Sequence, residues 1–148
     1  MKLITDLKQN CLEPASVALG CFDGIHLGHQ AVIGCAVADK PNGLTPSVFT
    51  FQENPLQVLT GNTVPTLLAP DTRNQIFEEI GVEQVFMPSF REVMNLEAEA
   101  FVHTVLKQYC KAEKVYCGFN FHFGKGGKAG SEELKQFGEK YGIEVTVV

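Results

Sequence analysis

The feature that most constrains this chain is the stretch over residues 20–29, which reads GCFDGIHLGH. It follows a short run, ASVAL, which lies between Pro14 and Gly20 and is typical of a parallel strand buried on both faces. Apolar residues then recur at helical spacing, which predicts a helix over residues 28–39. A glycine-rich turn from a buried strand into a helix presents backbone N–H groups that attract anions. The stretch therefore predicts a phosphate-binding corner.

Two histidines give this corner its chemical character. His26 and His29 are three residues apart, so they share the helix face that looks across the predicted phosphate site. An imidazole can donate a hydrogen bond, and a nearby polyphosphate favours its doubly donating cation. The stretch holds no serine or threonine, and its thiol, Cys21, has no evident histidine–acid relay around it. The pattern thus favours electrostatic stabilisation of a direct transfer between two bound substrates over covalent catalysis.

Strand and helix patterns alternate along the rest of the chain. Strands are predicted over residues 16–20, 47–51, 84–87, 114–118 and 144–148, and helices over residues 28–39, 71–80, 96–110 and 131–141. This alternation predicts an α/β fold: a Rossmann-like, open, parallel, five-stranded sheet with helices on both faces. Residues 52–70 are the longest stretch without periodicity, and we expect them to form a flap over a ligand.

Composition excludes several classes of protein. The chain has 148 residues and a net charge of −5, which disfavours extended nucleic-acid binding. No apolar run approaches the roughly 20 residues that cross a bilayer, so no membrane partner is expected. The five cysteines include no CxxC pair, which indicates reduced thiols. We therefore expect a cytoplasmic protein of one domain.

Three motifs carry a family resemblance. GCFDGIHLGH resembles the GxFDGxHxGH signature of the HxGH nucleotidyltransferases, in the form found in the FMN adenylyltransferase module of bifunctional riboflavin kinase/FAD synthetases. Thr50, Phe51 and Pro55 match that family's TFxPHP motif, although Glu53-Asn54 stands in place of Pro-His. Residues 118–124, GFNFHFG, resemble its GxNFxFG stretch. The order of the motifs along the chain is also that of the family.

The resemblance implies an adenylyl transfer from ATP, bound with Mg²⁺, to FMN, giving FAD and pyrophosphate. It implies His26 and His29 as the catalytic residues. The implied ATP site comprises Gly20, Phe22, Asp23, Gly24, His26, Gly28 and His29. The implied flavin site comprises Phe51, Asn54, Asn120 and Phe123, and Lys125 is a candidate phosphate ligand. The sequence indicates no magnesium ligands and no oligomeric state.

The resemblance also sets the expected domain organisation and its alternatives. We expect one nucleotidyltransferase domain over residues 1–148, without the family's ISSTxxR-like segment, without the C-terminal riboflavin kinase domain and hence without kinase activity. Glu53-Asn54 and the missing segment leave open a non-catalytic flavin- or nucleotide-binding module. A nucleotidyltransferase with another acceptor also stays open. A dehydrogenase is disfavoured, because no GxGxxG follows the first predicted strand.

Overall fold

The computed structural model describes residues 1–8, 13–22, 24, 25, 27–65 and 68–148, and these form an α/β fold. The strands are β1 (Lys2–Ile4), β2 (Ala15–Leu19), β3 (Thr45–Phe49), β4 (Gln84–Phe86), β5 (Ala112–Cys117) and β6 (Glu144–Val147). The helices are α1 (Leu27–Val37), α2 (Pro55–Thr60), α3 (Pro70–Ile80), α4 (Phe90–Val93), α5 (Ala98–Ala100) and α6 (Ser131–Tyr141). Helix α5 runs on into a π-helix over Phe101–Tyr109, and short 3-10 turns cover Lys40–Asn42 and Lys125–Gly127.

The sheet is open and parallel, with strand order β1-β4-β3-β2-β5-β6. From β2 the chain winds through β3 to β4 on one side, then crosses to β5 and β6 on the other. The winding therefore reverses between β2 and β5. Ligands of open parallel sheets bind at the carboxyl ends of the strands at such a reversal. The loops after β2, β3 and β5 meet at this edge, and the predicted fold class is confirmed.

The predicted number of strands was wrong, because β1 was missed. This strand lies at the edge of the sheet, where Lys2–Ile4 pairs in parallel with β4. It is three residues long, and Leu3 is 50% exposed. A strand so short and so exposed has no alternation of buried and exposed residues for a pattern search to detect.

Side chains alternate between two cores, one on each face of the sheet. Val17 and Leu19 of β2 belong to a cluster with Phe101 of the π-helix. Ala18, between them, belongs to a second cluster with Ile33 of α1 and Phe77 of α3. This two-residue period is the pleat of a strand covered by helices on both sides. It explains why all five residues of β2 are buried.

The helix predicted over residues 96–110 is present but wound differently. After three α-helical residues the chain forms a nine-residue π-helix, and the Cys110 N–H donates to the Val105 carbonyl at 2.9 Å, an i→i+5 bond. The residues that it buries are Phe101, Val102, Val105 and Leu106. The spacing of these buried residues is compatible with the buried face of an α-helix or of a π-helix, so the sequence pattern alone does not distinguish the two helix types.

A buried carboxylate ties the end of α1 to β5. Asp39 is 6% exposed and accepts hydrogen bonds from the Tyr116 hydroxyl and from the Asn42 amide at 3.2 Å. The Lys114 ammonium lies 3.5 Å from the same carboxylate. Burial and then the bond to Asp39 raise the pKa of Tyr116 well above its usual value. These contacts hold α1 against the sheet, and α1 carries His29 near its other end.

Candidate active site

The loop after β2 is built around an inward-pointing aromatic ring. Phe22 has φ +51°, a left-handed conformation that a bulky residue rarely adopts, and its side chain is 1% exposed. Its ring meets Phe77 edge-on, with centroids 5.9 Å apart. A Cβ at Gly20 would lie 2.7 Å from the Phe22 ring, closer than packing allows. Gly20 is therefore needed for this turn.

The same ring supports the catalytic candidate His29. The two rings are perpendicular, with centroids 5.2 Å apart. His29 is half-buried in the first turn of α1, and its Nδ1 lies 3.0 Å from the Gly24 carbonyl. Because a carbonyl only accepts, Nδ1 must carry the proton and donate it. Nε2 is then the ring atom whose protonation can change with a bound anion.

The corner brings together several predicted ATP-site residues. Gly20 and Gly24 lie in the loop, and Gly28 and His29 lie in the first turn of α1. Helix α1 has 11 residues, and the backbone N–H groups at the start of such a helix can donate hydrogen bonds to an anion. Asp23 and His26 lie outside the described residues.

The loop after β3 is joined to this corner. The Thr50 hydroxyl donates to the Cys21 carbonyl at 2.9 Å, which links the two loops across the strand ends. Phe51 is half-buried, with its ring edge-on to Phe49 at 5.6 Å and to Phe90 at 5.1 Å. Phe51 thus has a fixed position at the rim of the sheet.

A cleft of about 120 Å³ opens between this loop and α3. It is lined by Cys21, Thr50, Phe51, Gln52, Glu53, Asn54, Pro55, Leu68, Pro70 and Arg73. Two predicted flavin-site residues, Phe51 and Asn54, therefore share one cavity. Arg73 brings a positive charge to it.

The expected irregular stretch over residues 52–70 contains a helix, so that expectation was wrong in part. Helix α2 begins with Pro55 in its first turn, and Asn54 is its N-cap. The Asn54 side-chain oxygen accepts from the Leu56 N–H at 2.9 Å. An Asn-Pro pair at a helix start is a recognisable signal. The helix is six residues long, too short to show periodicity.

The motif GFNFHFG lies in the loop after β5. Asn120 is exposed in a turn, whereas the Phe123 side chain is 7% exposed. Phe123 packs against Phe101 at 5.7 Å and Phe121 at 5.8 Å, and it pairs with Ala129 in an isolated bridge. Phe123 is therefore part of the core at this edge, and Asn120 is the more accessible of the two.

Lys125 lies on the far side of that loop, at a second cavity. This cavity, of about 190 Å³, is lined by Glu97, Ala98, Phe123, Gly124, Lys125, Lys128, Ala129, Glu133 and Phe137. It shares no lining residue with the cleft at Phe51. The structure therefore does not bring Lys125 together with Phe51 and Asn54.

Sequence reasoning gave no role to Arg73, which lines the cleft. Its guanidinium donates to the Met87 sulfur at 3.3 Å and lies 6.0 Å from the Phe77 ring centroid. These contacts fix a cation beside Phe51 and Asn54. A basic residue in the first turn of the helix that follows the 52–70 stretch was the available signal.

Thiols and metal sites add little to the chemistry of the described residues. Cys21, Cys35, Cys110 and Cys117 are thiols there, and burial raises the pKa of Cys117 to about 11. No cluster of three His, Cys, Asp or Glu side chains able to hold a metal occurs within residues 1–8, 13–22, 24, 25, 27–65 and 68–148. In the same part of the chain, no helix has the length and apolar character needed to cross a bilayer.

A parallel sheet whose winding reverses beside a glycine-rich, histidine-bearing helix start defines an α/β domain of the Rossmann-like class. Comparison with known families makes this more specific. The profile described as FAD synthetase matches residues 8–148. The chain belongs to the FAD synthetase family.

Curated relatives are similar over most of this chain. It is 40% identical over 118 residues to the bifunctional riboflavin kinase/FMN adenylyltransferase of Bacillus subtilis (strain 168), covering 76% of this chain and 36% of that protein. The protein of the same name from Listeria monocytogenes is 34% identical over 137 residues, covering 89% and 43%. That from Escherichia coli (strain K12) is 28% identical over 152 residues, covering 99% and 49%. The chain thus spans between about a third and a half of these relatives.

Solved structures share the fold. A structure titled macrolide-efflux protein from Streptococcus pneumoniae has a TM-score of 0.84 and 30% identity, covering 99% of this chain and 50% of that one. A pantoate-beta-alanine ligase from Francisella tularensis, complexed with beta-gamma ATP and beta-alanine, has a TM-score of 0.66 and 16% identity, covering 100% and 66%. At that identity the second likeness shows the fold alone.

Proposed function

We propose that this domain transfers the adenylyl group of ATP to FMN. An oxygen of the FMN phosphate forms a bond to the α-phosphorus of ATP, and the bond from that phosphorus to the bridging oxygen of pyrophosphate breaks. The products are FAD and pyrophosphate, and ATP binds as its complex with Mg²⁺. One observation carries the proposal: in a chain of the FAD synthetase family, Gly24 fixes the tautomer of His29 at the start of α1.

The donor half of the site is the corner after β2. The ATP phosphates lie against the backbone of Gly20 and Gly24 and against the first turn of α1 at Gly28. The family resemblance assigns Asp23 to the same site. His26 and His29 donate to the phosphate oxygens as negative charge shifts toward pyrophosphate. Phe22 contributes through its backbone and through the support of its ring for His29, because that ring is 1% exposed. No side chain acts as a nucleophile.

The acceptor half is the cleft between the loop after β3 and α3. Phe51 offers an aromatic wall to the isoalloxazine, and Asn54 offers a side-chain amide to its polar edge. Asn120 does not line this cleft, and it stays a flavin contact that the family resemblance implies. Arg73 supplies positive charge for the FMN phosphate. Phe123 is 7% exposed, so it presents at most a ring edge to the flavin and otherwise holds the loop after β5. Lys125 remains a candidate phosphate ligand at the second cavity, which shares no lining residue with the cleft.

The proposal includes the setting in which the domain works. Thiols at Cys21 and Cys35, away from the buried core, suit a reducing compartment, so we infer a cytoplasmic enzyme with small-molecule substrates. The flavin is a substrate and a product here.

Incubation with FMN, ATP and Mg²⁺, followed by chromatographic separation of the flavins, tests the proposal. We expect FAD and pyrophosphate in equal amounts, and none when EDTA removes Mg²⁺. FMN and ATP binding without any FAD would instead establish a binding module. Adenylyl transfer to a different acceptor, with FMN inert, would overturn the assignment of the acceptor.

A further inference from the structure

We propose that Glu53 is a positioning residue for the acceptor, holding Phe51 in the wall of the cleft through Ser89 and Phe90. The inference rests on the proposed function, because it concerns the substrate that Phe51 faces. Glu53 stands in the motif where the resembling family signature has proline, so its role is specific to sequences of this kind.

The backbone around Glu53 prolongs the sheet. The Thr50 N–H donates to the Phe86 carbonyl at 2.9 Å, and the Gln52 N–H donates to the Pro88 carbonyl at 3.0 Å. The Gln52 side chain adds a bond to the Met87 carbonyl at 3.1 Å. The ladder between β3 and β4 therefore continues past the ends of both strands, up to Gln52.

Glu53 closes this ladder with its side chain. One oxygen, Oε2, accepts from the Ser89 hydroxyl at 2.9 Å and from the Phe90 N–H at 3.2 Å. The same oxygen lies 3.5 Å from the Arg91 guanidinium. The Glu53 side chain is 24% exposed, so these partners replace much of the water that a carboxylate requires. The negative charge of Glu53 is therefore directed at Arg91 of α4. These contacts explain how a glutamate can lie beside a proposed binding site for anions.

Phe90 links this carboxylate to the cleft. Its N–H is bound by Glu53, and its ring is edge-on to Phe51 with centroids 5.1 Å apart. Phe51 in turn lines the cleft. Loss of the Glu53 carboxylate frees the start of α4, so Phe90 no longer fixes the Phe51 ring. The donor corner depends on Phe22 and Gly24, which Glu53 does not contact in any described hydrogen bond or ion pair.

The test compares Glu53→Ala with Glu53→Gln in the steady-state synthesis of FAD. We expect Glu53→Ala to raise the KM for FMN roughly tenfold, the equivalent of one charge-assisted hydrogen bond, while the KM for ATP changes less than about twofold. Glu53→Gln keeps an oxygen that accepts from Ser89 and Phe90 and loses only the ion pair, so it should recover most of the affinity. Glu92→Ala, which removes an exposed carboxylate from the same helix, is the matched control and should change neither KM.

Amide hydrogen exchange separates this inference from the proposed function. Glu53→Ala should speed exchange at the Phe90 N–H, and Glu53→Gln should do so much less, with no ligand present. Equal changes in both KM values, an equal effect of Glu92→Ala, or unchanged exchange at Phe90 would each overturn the positioning role. If the wild-type chain neither binds FMN nor forms FAD, the proposed function fails and the acceptor role fails with it. Exchange still shows in that case whether Glu53 holds the loop.

Discussion

The loops after β2 and β3 lie side by side but are held by different forces. The loop after β2 is held by packing. Phe22 adopts a left-handed backbone conformation and buries its ring, and the His29 ring packs edge-on against it. The loop after β3 is held by polar contacts from Gln52 and Glu53 to the residues after β4. Packing inside a core tolerates little change, whereas surface hydrogen bonds can be exchanged for others. The geometry of the proposed donor corner is therefore the more constrained of the two, and the proposed acceptor wall is where sequence can vary.

The largest effect should come from Phe22→Ala, which removes the ring at the centre of the first loop. Deletion of a fully buried phenylalanine costs about 3–5 kcal/mol of unfolding free energy, measurable by urea denaturation. Phe119→Ala is a suitable control, since Phe119 is 82% exposed, and its effect should stay within about 0.5 kcal/mol. If Phe119→Ala lost as much stability as Phe22→Ala, burial of the Phe22 ring would not be what holds the loop after β2.

The next effect, on rate, should come from His29→Asn. The asparagine amide can donate to the Gly24 carbonyl in place of Nδ1, but it offers nothing in place of Nε2. We expect kcat to fall by about 10²–10³-fold while ATP affinity changes little, as when an oxyanion donor is removed. His103→Asn, on the exposed face of the π-helix, supplies the control. A normal rate of pyrophosphate release from His29→Asn would contradict the role of the imidazole.

The smallest effect should come from Phe51→Leu in the second loop. Leucine keeps an apolar side chain but loses the edge-on contacts with Phe49 and Phe90, and the aromatic face offered to a flavin. Aromatic contacts of this kind are worth about 0.5–1.5 kcal/mol, so FMN should bind roughly two- to tenfold more weakly. Titration of FMN fluorescence measures this, and ATP affinity should stay constant. If Phe51→Leu weakened ATP binding more than FMN binding, the cleft at Phe51 would be the ATP site and not the FMN site.

The sequence predicted those parts of the fold that have a strong local period. The buried strand Ala15–Leu19 and helix Ser131–Tyr141 were predicted within a residue at each end. Strand β1 and helix α2 were missed, because three and six residues are too few for periodicity. Strand β1 depends on pairing with β4, a contact of the assembled fold, whereas α2 is capped locally by Asn54.

The site was predictable where a motif fixes the backbone and not where side chains meet across the fold. The glycines and His29 of GCFDGIHLGH lie at the predicted corner. The roles of Arg73 and Glu53 depend on Met87, Ser89 and Phe90, which lie 14 to 37 residues away in the sequence. No local spacing reveals such pairings. Phe123 shows the converse case, since a motif position expected at the ligand belongs largely to the core.

The strand order also bears on how the chain acquires its structure. Every neighbouring pair in the sheet is parallel, so no pair can form from a tight hairpin, and each needs a crossover connection. Strand β2 pairs with β5 across nearly a hundred residues of sequence, and entropy makes such distant closures slow. The edge at which the loops after β2, β3 and β5 meet is therefore complete only after β5 has been synthesised and paired with β2.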